Sequence, residues 1–301
     1  MRLIDYDKIK SNLIDILKNN DIIWVVKDNA YGLGIDNMLS IGVGLGVLFY
    51  AVKDIEEGIY IKNKYPNVEV LVLGRCKDIK KLKEYNLIGT INDYDEYVKY
   101  KEIKARAHLA IDCGMIRFGL KRAYLAVIND KIVEAIYTHI YSSDVVYDKI
   151  RFIEELANKY NKKVHIGGSI VYKKTRSMIR IGKIIYDGAI SLFGHIINIK
   201  KVLKGESVGY DGIFKASKDC LIGVCDIGYV NGLDILYNGN VVINGRYYRV
   251  VGKVCMDQCF VLFDDFVSLG DEVEFFGINI SEDEFIDKNK MTKYELLLQI
   301  R

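Results

Sequence analysis

The sequence predicts an α/β fold of two domains, an N-terminal (β/α)8 TIM-type barrel over residues 1–200 and a C-terminal, mostly-β domain over residues 201–301. Three observations predict it. Eight short apolar runs alternate with helical stretches or short connections between residues 22 and 183, the order that builds a parallel sheet from βα units. From about residue 200 the texture changes to short β-rich runs broken by glycine: CLIGVCDIG, VVINGRYYRVVGKV, CFVLF and DEVEFFG. The first apolar run, Ile22 to Val26, delivers Lys27 to its carboxyl end, where barrel folds assemble their sites. Several of the connecting helices are weak, so periodicity alone supports a doubly wound sheet equally well.

The first twenty residues, MRLIDYDKIKSNLIDILKNN, read as an amphipathic helix, with no apolar core ahead of a small-residue cleavage site. IIWVV (22–26) is β-branched and aromatic without alternation, as in a strand covered on both faces. A polar, glycine-punctuated turn, Asn29 to Gly34, follows Lys27. GVGLG (42–46) has the glycine spacing of a dinucleotide loop, but a strand follows it, so it reads as a helix-to-strand connection. The strand Val47–Val52 leads to a helix opened by Asp54 and stopped near Pro66. Strands at 68–74 and 87–92 follow, then a polar helix from Asp93 to about Lys101 and a strand over 106–115. A strand at 134–142, the clearest amphipathic helix (145–161), and strands at 163–169 and 177–183 complete the set. In the β domain, Asn244-Gly245 marks a hairpin turn, and MTKYELLLQIR closes the chain as a helix.

Composition excludes several classes. Half of the 301 residues are hydrophobic and 28% are charged, as in a protein with a sizeable core. The net charge of +3 is spread along the chain, and no basic stripe argues for nucleic acid. No run approaches the roughly 18 apolar residues of a membrane span. The six cysteines form no C-x-x-C pair and lie far from the four histidines, which gives a zinc site no support. With no secretory signal, the cysteines read as reduced thiols of a cytoplasmic protein.

A lysine that ends a strand ordinarily turns to solvent, but partial desolvation at a barrel mouth favours the neutral amine, which acts as nucleophile or base. The string VVKDNAYGLG resembles the signature of the alanine racemase family, in which that lysine holds pyridoxal phosphate (PLP) as a Schiff base. The resemblance continues in order through HLAIDCGMIRFGL, YTHIYSSD, HIGGS, RIGK, VGYDG, DIGYVNG and GKVCMDQ. Removing the Cα proton of an amino acid from one face and returning it on the other needs two acid/base groups on opposite faces. The resemblance implies that Lys27 serves one face and Tyr210, from the partner subunit of a homodimer, serves the other. A free tyrosine titrates near about 10, and the resemblance offers His139 as the hydrogen-bond partner that assists it. It also implies that Arg180 faces the pyridine nitrogen of PLP. Tyr31, Ser169 and the backbone amides of Gly182 and Lys183 would hold the phosphate. Arg117 would bind the substrate carboxylate, with Tyr229, Met256 and Asp257 at the substrate mouth. Outside these motifs such residues are ordinarily packed aromatics, core methionines or surface cations.

The chain departs from the family pattern at three places. Ala110 stands where many members carry a carbamylated lysine that positions the arginine matched by Arg117, and Gly168 stands where an asparagine is usual. The chain stops at Arg301, short of an arginine- and proline-containing tail, so the reading expects a compact member with weaker cofactor binding. Only residues 121–131 are available for the helix after the middle strand. The leading expectation is a PLP-dependent racemase of a small amino acid, alanine first. A PLP-binding paralogue or carrier without turnover, and a racemase for another amino acid such as serine, are the alternatives.

Overall fold

The computed structural model describes the backbone of residues 1–301 and every side chain except those of residues 122–124. The chain divides into two compact units, residues 10–185 and residues 1–9 with 186–301.

In the first unit, all eight anticipated strands form and pair in parallel: β2 (Ile22–Val25), β3 (Phe49–Val52), β4 (Glu69–Val72), β5 (Gly89–Ile91), β6 (Ala107–Ala110), β7 (Val133–His139), β8 (Lys163–Gly167) and β9 (Met178–Ile181). β1 (Arg2–Ile4) belongs to the second unit. The order is β4-β3-β2-β9-β8-β7-β6-β5. A parallel bridge from Leu71 to Ile88 joins the two end strands, so the sheet closes into a barrel and the doubly wound alternative falls. Every residue of β2 and β6 is buried, which is why these segments read as unbroken apolar runs.

Connecting helices start where short acidic side chains accept the first free amides. Asp54 accepts from Glu57 at the head of helix Ile55–Lys64, and Asp93 accepts from Glu96 at the head of helix Tyr94–Ile103. Helix Ile35–Gly44 ends in the GVGLG string, as its context implied. Gly42 there lets Trp24 and Tyr50 pack against it, for a Cβ would come within 2.8 Å of the indole. Between β6 and β7 the connection is a 3-10 segment, Arg122–Asn129, and not an α-helix.

The second unit is an antiparallel sheet of β1, β10 (Ile190–Val202), β13 (Cys220–Cys225), β14 (Asn240–Ile243), β15 (Arg246–Val251), β16 (Cys259–Phe263) and β17 (Glu272–Phe276). β17 pairs with both β14 and β10, which closes six of the strands on themselves. A separate hairpin, β11 (Ser207–Val208) with β12 (Phe214–Lys215), carries the VGYDG segment. The hairpin turn at Asn244-Gly245 forms as expected, with φ of 50° and 75°. The sequence reading differs from the structure in three places here. Residues 2–4 are a strand paired with β10, and the amphipathic helix starts only at Tyr6. β10 is one continuous strand of 13 residues, so a boundary at residue 200 falls inside it. Helix Glu282–Asn289, capped by Ser281, had no counterpart in the sequence reading. No described helix is long and apolar enough to cross a membrane.

Candidate active site

Lys27 follows β2 after one residue, Val26, and the next four residues leave the right-handed regime. Asp28, Asn29, Ala30 and Tyr31 have φ between 53° and 56°, and the first three have ψ between 48° and 52°. A left-handed turn costs roughly 1–2 kcal/mol per non-glycine residue, so contacts from elsewhere must hold it. Glu57 supplies the central one: its Oε1 accepts from the Asn29 amide at 3.2 Å and its Oε2 from the Lys53 amide at 3.1 Å. Asn29 Oδ1 accepts from the Ile35 amide at 2.8 Å, and Lys53 Nζ donates to Asp28 Oδ1 at 2.8 Å. The turn reverses the chain beside the lysine and buries Tyr31, 6% exposed. Gly182 makes room for that ring, since a Cβ there would lie 2.7 Å from the Tyr31 hydroxyl.

The barrel interior is polar along one line. Arg180 on β9 is 6% exposed, and its Nη1 donates to His165 Nδ1 at 3.0 Å. A guanidinium has no acceptor, so His165 Nδ1 carries no proton and its Nε2 does. His165 Nε2 then donates to His108 Nδ1 at 2.9 Å, which fixes the His108 tautomer in turn. Tyr137 stacks on His165 with ring centres 4.7 Å apart, and the Arg180 guanidinium lies 4.4 Å over the same tyrosine. Burial holds all three barrel histidines neutral, with the arginine charge adding to it. His108 is pushed down to about 3, His139 to about 4, and His165 well below the usual value. The charges of Arg180, Arg117 and Lys27 all act on His139, at the end of β7. Gly167 opens the space these groups share, because a Cβ there would collide with Arg180 Nη2 and lie 2.8 Å from His139 Nδ1. The sequence reading missed His108, His165 and Glu57; the visible signal was a histidine inside each of two apolar strand runs.

Ser169 and Lys183 begin short 3-10 turns after the adjacent strands β8 and β9, so both stand at the carboxyl end of the barrel with Gly182. Gly168 has φ of 118°, and a Cβ on it would lie 2.5 Å from the Ile140 carbonyl oxygen. This backbone therefore admits glycine and excludes the asparagine. Arg117 rides an exposed loop after β6. Asp112 Oδ1 accepts from the amides of Gly114 at 2.9 Å and Ile116 at 3.1 Å, which shapes that loop.

The remaining anticipated residues belong to the second unit. Tyr210 stands 65% exposed on the turn between β11 and β12, where Lys253 Nζ pairs with Asp211 at 2.6 Å. Tyr229 and Met256 are brought together by backbone bonds of 3.0 Å, Tyr229 to Cys255 and Val230 to Met256. Met256 is 56% exposed, Tyr229 is 42% exposed, and Asp257 is exposed.

Comparison with known proteins matches residues 4–189 to the alanine racemase N-terminal domain and residues 189–301 to the alanine racemase C-terminal domain. The alanine racemase of Borreliella burgdorferi is 29% identical, across 99% of this chain and 94% of that protein. Alanine racemase 1 of Clostridium acetobutylicum is 28% identical, across 91% and 85%. Among solved structures, the alanine racemase of Acinetobacter baumannii has a TM-score of 0.88 at 20% identity, covering 100% of this chain and 97% of that one. The alanine racemase of Bartonella henselae, solved with covalently bound pyridoxal phosphate, has a TM-score of 0.87 at 21% identity, covering 100% and 96%. The two structures share the fold, and the family models account for the chain from Ile4 to Arg301: it belongs to the alanine racemase family.

Proposed function

We propose that this chain interconverts L- and D-alanine by a two-base mechanism in which Lys27 and Tyr210 handle the Cα proton on opposite faces. The observation that carries the reading is the lysine that opens a left-handed turn after β2, the strand paired with the one that holds the buried Arg180. The residues present fit PLP. Among the described residues only His165 accepts from Arg180, so the other N–H groups of a nearly buried guanidinium have no acceptor, and a ring nitrogen supplies one. Gly182 leaves a cradle over Tyr31 that any side chain would fill. When bound, PLP supplies the electron sink that makes the Cα proton removable.

The protein supplies the rest. Lys27 Nζ anchors the cofactor and then takes or returns the proton on its face. Tyr210 Oη does so on the other, with neutral His139 as its hydrogen-bond partner. Arg180, which stays charged, would donate to the ring nitrogen and so disfavour its protonation. Tyr31, Ser169 and the amides of Gly182 and Lys183 would hold the phosphate. Arg117 receives the substrate carboxylate, and Tyr229, Met256 and Asp257 border the entrance. Tyr210 and these three come from the second subunit of a homodimer; what supports this is that Tyr210, Tyr229 and Met256 all stand exposed on their own unit.

The test is exchange of the Cα hydrogen in heavy water across a panel of L- and D-amino acids with added PLP. Alanine exchanges with inversion in the wild type. Lys27→Ala loses exchange altogether, and Tyr210→Phe loses about 10²–10⁴-fold while keeping the absorption of bound cofactor. Exchange confined to serine would change the substrate, and bound cofactor with no exchange would make the chain a carrier.

A further inference from the structure

We infer that Asn92 is a positioning residue for Arg117 and, through it, for the carboxylate of the substrate. The inference rests on the function proposed above.

Asn92 follows β5 at the carboxyl end of the barrel. Thr90, two residues earlier, faces the interior, where its hydroxyl donates to the Val72 carbonyl at 2.8 Å and Tyr137 Oη reaches it at 3.4 Å. Alternation along a strand puts Asn92 on the same face. Its side chain is 4% exposed, yet neither Oδ1 nor Nδ2 has a hydrogen-bond partner. A buried carboxamide left so is destabilising, and a methyl group would fill the site without that cost. The register of β5 with β6 ends at Ile91 with Leu109, and the next residue of β6, Ala110, brings no polar side chain.

The backbone explains what the amide waits for. The Asn92 amide donates to Glu96 Oε2 at 2.8 Å, and its carbonyl accepts from the Gly119 amide at 3.2 Å. The Leu120 amide donates to the Ala110 carbonyl at 2.8 Å. The loop that carries Arg117 is thus stitched to both residues, two and three positions beyond the arginine. Gly119 is needed for so tight a seam, with φ of 112° and space for a Cβ blocked 2.6 Å away by the Asp112 amide. Arg117 is exposed and forms no hydrogen bond or ion pair with a described residue, while its charge reaches Tyr137 and His139. The loop that carries a guanidinium of five donors is therefore tethered by its backbone to a residue whose buried carboxamide oxygen accepts from no donor. Asn92 Oδ1 accepts from Arg117 as the guanidinium turns into the mouth, which leaves its opposite edge for a carboxylate in the paired geometry arginine prefers.

The test compares Asn92→Ala, Arg117→Lys and the double variant. A hydrogen bond to a charged group is worth about 1.5–3 kcal/mol, so Asn92→Ala raises KM for alanine by roughly 10–100-fold with kcat changed by less than about twofold. Its Tm stays equal or rises, since an unpaired buried amide has been removed. The double variant is no worse than Arg117→Lys alone, because both changes undo one arrangement. A second readout needs no turnover: in 15N-arginine-labelled PLP-loaded protein, propionate protects the Arg117 Nε–H from solvent exchange in wild type and does so less in Asn92→Ala. An unchanged KM, multiplying effects in the double variant, or equal protection overturns the inference. A wild type that does not racemise alanine fails the proposed function, and the propionate readout then still decides the role of Asn92.

Discussion

Of the turns that take non-glycine residues into left-handed backbone, two are built in opposite ways. At Asn244-Gly245, φ of 50° and 75° falls on the two residue types that adopt it most readily, between paired strands, and a Cβ on Gly245 would meet nothing within 4 Å. At Asp28–Tyr31 four consecutive side-chain-bearing residues sit near φ of 55°, and only Asp28 and Asn29 are of a type that tolerates it. The first turn is local and self-sufficient. The second is strained and persists because Glu57, Lys53 and the amide of Ile35 fasten it. Strain held in place from outside marks where position is needed, here beside Lys27.

The sharpest way to break that comparison is to put the same β-branched residue into each turn. Valine is poorly accommodated at positive φ, and Ala30 is fully buried besides. Ala30→Val should cost about 3–4 kcal/mol from overpacking and backbone strain together and abolish retention of PLP. Asn244→Val should cost about 1–2 kcal/mol and leave turnover unchanged. Chemical denaturation and the absorption of bound cofactor measure both. Equal effects at the two sites would mean that the strained turn has no special relation to the site.

Acid should separate the same two regions. Three histidines of the barrel unit have pKa values below the usual 6.5, His139 near 4 and His108 near 3. A group whose folded pKa is depressed stabilises fully above its unfolded pKa, and that stability is lost as pH falls toward the folded value. Between pH 6.5 and 4 the three together lower stability by up to about 4 kcal/mol per pH unit. His195 in the other unit is half exposed. Hydrogen exchange followed from pH 7 to 4 should show amides of β6, β8 and β9 losing protection while those of β14 and β15 keep theirs. Uniform loss would place the acid-sensitive groups elsewhere.

The contrast also explains what the sequence could and could not reveal. Parallel barrel strands are covered on both faces, so segments such as IIWV and AHLA are unbroken apolar runs that need no partner to be recognised. Asn244-Gly245 carries its own signal. Nothing in DNAY announces a left-handed turn, because the side chain that fastens it lies 28 residues on from Asn29. β1 has three residues and pairs with a strand nearly 190 positions away, and β10 carries no break at the limit of the barrel. Lys27, Arg180 and His139 were legible through motifs. His108 and His165 became meaningful only when the register of β6 to β8 linked them to Arg180.

Glu57 tests the fastening itself. Glu57→Ala removes the acceptor of two backbone amides, Asn29 and Lys53. Losing such bonds costs about 1–3 kcal/mol, at the low end here because water can reach both amides. If the fastening holds Lys27 in place, PLP affinity falls by more than the change in stability implies, and the Asn29 amide exchanges faster in the cofactor-free protein. Glu57→Gln retains one acceptor oxygen and should recover part of the affinity. A structural role alone would lower Tm in both variants and leave PLP affinity unchanged.

The smallest effect belongs to the cheap turn. Gly245→Ala keeps open space around the new methyl and meets only the backbone penalty at φ of 75°, about 1 kcal/mol. Part of that is offset because alanine reduces the freedom of the unfolded chain. The net loss should stay below about 1 kcal/mol, with cofactor affinity and turnover as in the wild type. A larger loss, or any change at the site, would show that the hairpin carries more than its own connection, and the division between a strained functional turn and a relaxed connecting one would fail.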